Sequence, residues 1–233
     1  MKKIAIPLLV LAAVIVGALY RLSGNVDGLV ESAIETYGSA MTQAKVSIGA
    51  VKIAPADGKG TISNLFIGNP AGFKTAHALK GARIDVDVDL ASLAKDAIVI
   101  RRIAVIAPDV IYEKGDAMTN FDAIQNNISA YLGPSGDNKN GKRLIVDQFN
   151  IRDVKAQASA AFMNGKSLAV PVPDITLKNL GRTKGGITAG ELGQKVVGAL
   201  QPKLTHAVNF DRLMNSGKQA LGKVGSAIKG LFK

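Results

Sequence analysis

Three carboxylates on alternate residues, Asp85, Asp87 and Asp89 in "LKGARIDVDVDLASL", are the densest set of possible metal ligands in the chain. A calcium loop that begins D-x-D-x-D needs glycine at its sixth position for the turn and a bidentate acid at its twelfth. Here those positions hold Leu90 and Asp96, so half of the signature fails. An alternating stretch is also an extended strand, which sends all three carboxylates to one face instead of wrapping them around an ion. "NGKS", Asn164 to Ser167, imitates the end of a phosphate-binding loop, but the first glycine of that pattern falls on Ala160. The "LAVPVP" that follows excludes the helix which would cradle phosphates. An exposed β-turn is the better reading. His77 and His206 are the only histidines, neither has an acid or histidine at ligand spacing, and cysteine is absent. G-x-S-x-G, H-E-x-x-H and G-x-G-x-x-G are absent too. Asn127-Ile128-Ser129 fits a glycosylation sequon but falls inside a helical pattern. The expectation is a protein that is not an enzyme, with no metal, no cofactor and no catalytic residues.

The aspartates therefore read as the wet face of a strand whose dry face is Ile84, Val86, Val88 and Leu90. Around that strand the chain alternates in long blocks. Val26 to Met41 has apolar residues at three and four, a helical face. "AKVSIGAVKIAP", with a bulge expected at Gly49-Ala50, and "GTISNLFIGNP" then read as strands, the second ending at Asn69-Pro70. "AIVIRRIAVIAPDVIYEKG" is too β-branched for a helix, and Pro108 predicts a kink or an edge. Asn120 reads as the cap of a helix over "FDAIQNNISAYLG". After the loop "GPSGDNKNGK", strand character returns through "RLIVDQFNIRDVKAQASAAF" and "KSLAVPVPDITLKNLG". "TAGELGQKVVGAL" and the stretch after Pro202 are helical. Segregated helices and strands make this an α+β fold.

Charge and hydropathy then place the chain. After Lys2 and Lys3, the uncharged run Ile4 to Tyr20 would span roughly 26 Å as a helix. Leu19, Tyr20, Arg21 and Leu22 stand where a signal peptidase needs small residues, so the run reads as an uncleaved anchor. The lysines before it and Asp27, Glu31 and Glu35 after it favour a cytoplasmic N-terminus. Nearly half of the formal net charge of +11 lies at the other end. From Gln201 to Lys233 six basic residues stand against Asp211 alone, and Phe210, Leu213, Met214, Leu221, Val224, Ile228, Leu231 and Phe232 share a helical stripe. Two readings stay open for this basic amphipathic helix. It docks on an anionic bilayer through Lys218, Lys223, Lys229, Lys233 and Phe232, or it packs its stripe on the sheet with the lysines solvated. Nucleic acid needs a cytoplasmic location that the anchor argues against.

The order of parts resembles the N-terminal region of AsmA-like bacterial envelope proteins. The residues that carry it are "NPAGF" closing a strand, the alternating "IDVDVDLASL", an isoleucine-rich strand running into "PDVIYE", the helix of "NFDAIQNNI", and the later "VPVPDITLKNLG" and "GGITAGELGQKVV". The resemblance implies an inner-membrane protein that projects into the periplasm, a long curved β-sheet with an apolar concave groove, and a role in phospholipid transport to the outer membrane or in its homeostasis. It implies no catalytic residues.

The expected architecture is thus an N-terminal transmembrane helix, then a curved, mainly antiparallel sheet forming a groove or half-barrel with flanking helices, then a C-terminal amphipathic helix. Its boundaries are 1–22 for the anchor, 23–42 for a linking helix, 43–186 for the AsmA-like β domain with an inserted helix at 120–132, and 187–233 for a helical region. Eight or so strands abreast would be about 35 to 40 Å across at about 4.8 Å each. The groove candidates are Ile84, Val86, Val88, Ile98, Ile100, Ile103 and Val105. Phospholipid acyl chains are the expected partner, with other envelope proteins or a second copy as further partners and no nucleic acid. The alternative function is a non-catalytic scaffolding or assembly subunit of an envelope complex. Because the aspartates lie along a strand, adding calcium or a chelator should leave the thermal midpoint unchanged, which paired melts check.

Overall fold

A strand shows alternate residues to opposite sides, so the aliphatic half of each strand needs cover while the polar half faces water. The computed structural model, which describes residues 26–133 and 142–208, meets this need with one mixed sheet of ten strands and helices packed on its aliphatic side. The elements run α1 (Val26–Thr42), β1 (Val46–Ser47), β2 (Ala50–Ala54), β3 (Lys59–Ile67), β4 (Leu79–Val88), β5 (Ala97–Ile106) and β6 (Asp109–Lys114). Then come α2 (Asn120–Leu132), β7 (Arg143–Arg152), β8 (Lys155–Ala160), β9 (Leu168–Val170), β10 (Ile175–Leu180) and α3 (Ala189–Ala207). The α+β class is the expected one. The expected anchor lies outside the described residues, and among those described no helix is long and apolar enough to cross a membrane.

The ten strands are better seen as six long ones, because four of the six are split by a crease that crosses the whole sheet. Each strand breaks at the same level: Gly49 between β1 and β2, Asn64 inside β3, Gly81 inside β4, Ala107-Pro108 between β5 and β6, Asp153 between β7 and β8, and 171–174 between β9 and β10. Asn64, Gly81, Ala107 and Asp153 have φ of +56°, +71°, +51° and +57°, the left-handed region in which a strand cannot continue straight. Hydrogen bonds from Ala107 N to Arg152 O (3.0 Å) and from Lys155 N to Pro108 O (2.9 Å) knit the two halves across the break. The expected bulge at Gly49-Ala50 and kink at Pro108 are both parts of this crease. Six strands abreast span about 24 Å at about 4.8 Å per interval, so the expected width of 35 to 40 Å was too large. Strands laid end to end do not widen a sheet.

Neighbours in space follow chain order, antiparallel throughout except at the centre, where β5 and β6 run parallel to β7 and β8. That exception requires a crossover, and α2 supplies it. Its buried Phe121, Ile124 and Ile128 share a core with Leu192, Leu200 and Leu204 of α3 and the aliphatic residues of the central strands. α1 contributes Val30 to a second core with Ile48, Val51 and Ile62. It also covers the sheet's first edge: Asp27, Glu35 and Ser39 accept hydrogen bonds from the amides of Ile53, Ile48 and Val46 at 3.1, 3.0 and 2.9 Å.

The end of β6 is tied down by a buried polar network. Glu113 is 1% exposed, and its carboxylate accepts from the amides of Lys74 and Thr75 and from the Thr75 hydroxyl at 2.8, 2.8 and 2.6 Å. Asn120 does not cap α2. Thr119 does, in a reciprocal capping box with Asp122. Asn120 is buried, accepts from the Glu113 amide (3.0 Å), and donates to Asn69 Oδ1 and Ile111 O, both at 2.8 Å. The Asn69 amide in turn donates to the Thr75 carbonyl and hydroxyl, so the loop 68–78, β6 and α2 share one network. Burial pushes the Asp122 carboxyl up, but hydrogen bonds from the Thr119 hydroxyl and amide and from Gln201, with Lys114 nearby, leave it below its ordinary value. Replacing Glu113 by Gln turns an amide NH2 toward at least one of the Lys74 and Thr75 amides, which can only donate. Urea unfolding of Glu113→Gln should therefore show a loss of about 1–3 kcal/mol with an unchanged m-value.

Candidate functional site

The wet face holds the three aspartates as expected, and each has a protein partner. Asp85 accepts from the Thr61 hydroxyl (2.9 Å) and Arg83 Nε (3.0 Å). Asp87 accepts from Arg101 Nε and Nη2 at 3.0 and 2.7 Å. Asp89 caps the turn at 90–92 by accepting from the Ala91 amide at 3.1 Å. Arg101 is the extra residue of a bulge, since Asp87 pairs with Arg102 and Val88 with Ile100. Without that bulge, Ile103 and Val105 would fall on the wet side. No group of three or more His, Asp or Glu among the described residues is placed to hold a metal.

The dry face is mostly closed. Ile98, Ile100, Ile103, Val105 and Val88 are buried in the core that α2 and α3 cover, and Ile84 is half-buried between the two cores. The broad open groove expected from the sequence is therefore filled, over these residues, by the chain's own helices. Beneath the start of α1 lies a small apolar cleft that encloses about 40 Å³ and opens to solvent. Val30 of α1, Val51 and Ile53 of β2, Ile62 of β3, and Val86 and Val88 of β4 line it. Of the seven groove candidates, Val86 and Val88 are the ones that reach it.

The cleft has a local cause. Gly60 pairs with Ile53 on one side and Val86 on the other, so all three share the dry face, and the middle position has no side chain. A Cβ there would meet only the Lys52 carbonyl, at 3.8 Å. Gly58, at φ +66°, is a different case: a Cβ would stand 2.4 Å from the Val88 carbonyl, so only glycine closes the turn at the cleft mouth. Lys59 and Thr61 are the polar residues at the site, and both strand positions pair with aspartates of the wet face. The lining carries no titratable cluster, and its chemistry is that of a hydrocarbon surface. Sequence periodicity located the dry face, but it gave no sign that a missing side chain, and not a missing helix, makes the opening.

The other sequence candidates have structural roles. "NGKS" is a turn after the short 3-10 helix at 161–163, with Asn164 and Gly165 at positive φ. Asn127 donates to the Thr42 carbonyl at 2.8 Å and thereby fastens α2 to the end of α1. Lys218, Lys223, Lys229, Lys233 and Phe232 lie outside the described residues. A shallow groove between α2 and α3 is lined by Gln125, Gln201, Thr205 and His206, polar groups with no converging geometry. His77 is 3% exposed, its Nε2 has no hydrogen-bond partner, and Asp109 Oδ1 stands 3.7 Å away. No protein-family model, curated protein or solved structure matches the chain.

Burial pushes the His77 imidazole below its ordinary value, and Asp109 only partly opposes this. The unfolded chain thus takes up a proton at His77 more readily than the folded one. Stability should be full above about pH 6.5 and decline as pH falls below it. Denaturant midpoints between pH 7.5 and 5 should show that decline, and His77→Phe should reduce it.

Proposed function

We propose that the protein is a short AsmA-like envelope protein, anchored in the bacterial inner membrane by residues 1–22 with its bulk in the periplasm. Its cleft takes a hydrocarbon chain of membrane lipid as part of phospholipid handling or outer-membrane homeostasis. The observation that carries this reading is the apolar cleft beside the start of α1. Val30, in the cleft wall, is ten residues past Tyr20, the end of the apolar run. Ten residues reach at most about 36 Å, so an anchored run would hold the cleft close to the bilayer. The enclosed part of the cleft, about 40 Å³, has room for little more than the end of one chain, the rest lying along its open mouth. On this reading the creased sheet is the family's curved groove, shortened and largely filled by α2 and α3.

The alternative is an assembly or scaffolding subunit without a lipid cargo. The closed packing of Ile98, Ile100, Ile103 and Val105 favours it, because most of the dry face is spent on the chain's own core. Lipid extraction of the full-length protein purified in mild detergent, followed by mass spectrometry, separates the two. Retained lipid at up to one chain per protein supports the cleft reading. Gly60→Leu fills the space, and should raise stability by about 1 kcal/mol while emptying it of lipid. Val86→Asp should lose the lipid yet still fold, whereas Ile98→Asp, which buries an unpaired carboxylate, should not fold. Lipid-free wild type, with Gly60→Leu altering stability alone, leaves the scaffold reading.

A further inference from the structure

Among the described residues, one buried side-chain polar atom lacks a hydrogen-bond partner, Nε2 of His77. A buried group left unpaired is rare enough to need a physical account. His77 stands near the end of the loop 68–78, where the chain crosses one side of β6. Asp109, Ile111 and Glu113 alternate on that side, and it faces away from the helices, because Val110 and Tyr112 belong to the core beneath α2 and α3. The loop is fastened there at both ends. Lys74 and Thr75 donate to the Glu113 carboxylate, while the Ala78 amide donates to the Ile67 carbonyl at 2.9 Å and the Ala78 carbonyl accepts from the Ile111 amide at 3.0 Å. With the loop in place, Ile111 and Glu113 are 6% and 1% exposed.

We propose that the loop 68–78 is an acid-released strap over the outer side of β6, with His77 as its trigger: the neutral imidazole fits beneath the strap, and the charged one has to leave. The seat is built for an uncharged ring. Phe66 lies beside it, ring centres 6.3 Å apart. Asp109 Oδ1, at 3.7 Å, is beyond hydrogen-bond reach and already accepts from Gln157 Nε2 at 3.0 Å. Lys80 Nζ stands 3.7 Å from Asp109 Oδ2, and Lys155 is opposite Asp109 on β8, so this carboxylate already has cations around it. Glu113, the next acid on this side of β6, is committed to Lys74 and Thr75. An imidazolium carries two N–H donors, and water supplies the acceptors that this seat does not. Burial holds the ring below its ordinary value. Each opening that exposes it therefore takes up a proton below about pH 6.5, and the open fraction rises by up to about tenfold per pH unit. Opening lifts the loop from Glu113 and uncovers Ile111 while the rest of the sheet stays folded. The strap is independent of whether the cleft holds lipid.

Amide hydrogen exchange on the full chain, resolved by residue and corrected for the intrinsic pH dependence of exchange, tests this. The amides of Lys74, Thr75, Ala78 and Ile111 should lose protection by up to about tenfold per pH unit as pH falls from about 6.5 to 5. Those of Ile103 and Val105, at the centre of the sheet, should keep theirs. His77→Phe should make the protection of the loop independent of pH, and His206→Gln, at an exposed position of α3, should leave the wild-type response intact. Asp109→Asn removes the carboxylate that opposes burial, so the loss should continue to lower pH than in the wild type. Loop protection indifferent to pH, central strands that lose protection together with the loop, or a pH response that survives His77→Phe would each overturn the proposal. If His77→Phe does not fold, an Asp109→Asn profile identical to that of the wild type overturns it instead.

Discussion

The dry face of the sheet is the constraint on which the rest of the molecule depends. At roughly 25 cal/mol for each Å² of apolar surface, several strands of Val, Ile and Leu cannot stay in water, and every other element is placed by the need to cover them. α2 covers the centre and at the same time carries the chain back, which is why β5 and β7 can run parallel in an otherwise antiparallel order. α3 lies antiparallel to it, with Gly190 against Leu132 at one end and Gln201 against Asp122 at the other. α1 covers the first edge twice over, with aliphatic residues on the face and with Asp27, Glu35 and Ser39 on the exposed amides. The opposite edge, formed by β9 and β10, is touched by α3 at β10. It is blunted by Pro171, Pro173 and Lys178, which discourage another strand from pairing there.

The crease decides the shape that this packing takes. A single strand bent by a left-handed residue is a local event, but the breaks here fall at one level in all six long strands, so the bend belongs to the sheet. Each strand achieves it with different chemistry: glycine in two, asparagine and aspartate in two, alanine before proline in one, and a proline-rich break in the last. Asn, Asp and Gly enter the left-handed region readily, but Ala107 does so against its own preference. Its neighbour Pro108, buried and with its carbonyl bonded to Lys155, is the reason it stays there.

Much of this was legible in the sequence, and the failures have physical causes. The class, the wet aspartates, the limits of α2 and the kink at Pro108 all follow from periodicity and from proline, which are local signals. Periodicity also picked the right face for Ile98, Ile100, Ile103 and Val105, even across the bulge at Arg101, because apolar residues mark the face directly. It could not tell whether that face is open or covered, since a groove wall and a core wall demand the same residues. The width was misjudged for a related reason: a strand that breaks and resumes looks like two strands, and only the pairing partners show that they lie end to end. Asn120 was taken for a cap because asparagine commonly is one. Its burial beneath Glu113, and the Thr119–Asp122 box that replaces it, depend on contacts from residues as distant as Asn69.

The same reasoning bears on the motif by which the sequence resembles envelope proteins. "NPAGF", "PDVIYE" and "NF" contribute Asn69, Glu113 and Asn120. Asn69, Glu113 and Asn120 meet in one network that fixes how the loop after β3 sits on β6 and α2, so these motif positions record a fold requirement. Function has to be sought where the pattern relaxes. Gly60 is such a place: in a strand flanked by Ile53 and Val86, an aliphatic residue would pack and stabilise, yet the position is empty and the cleft exists because of it. A position that forgoes core packing, at the end of the sheet where α1 begins, is the feature of this fold least explained by stability alone.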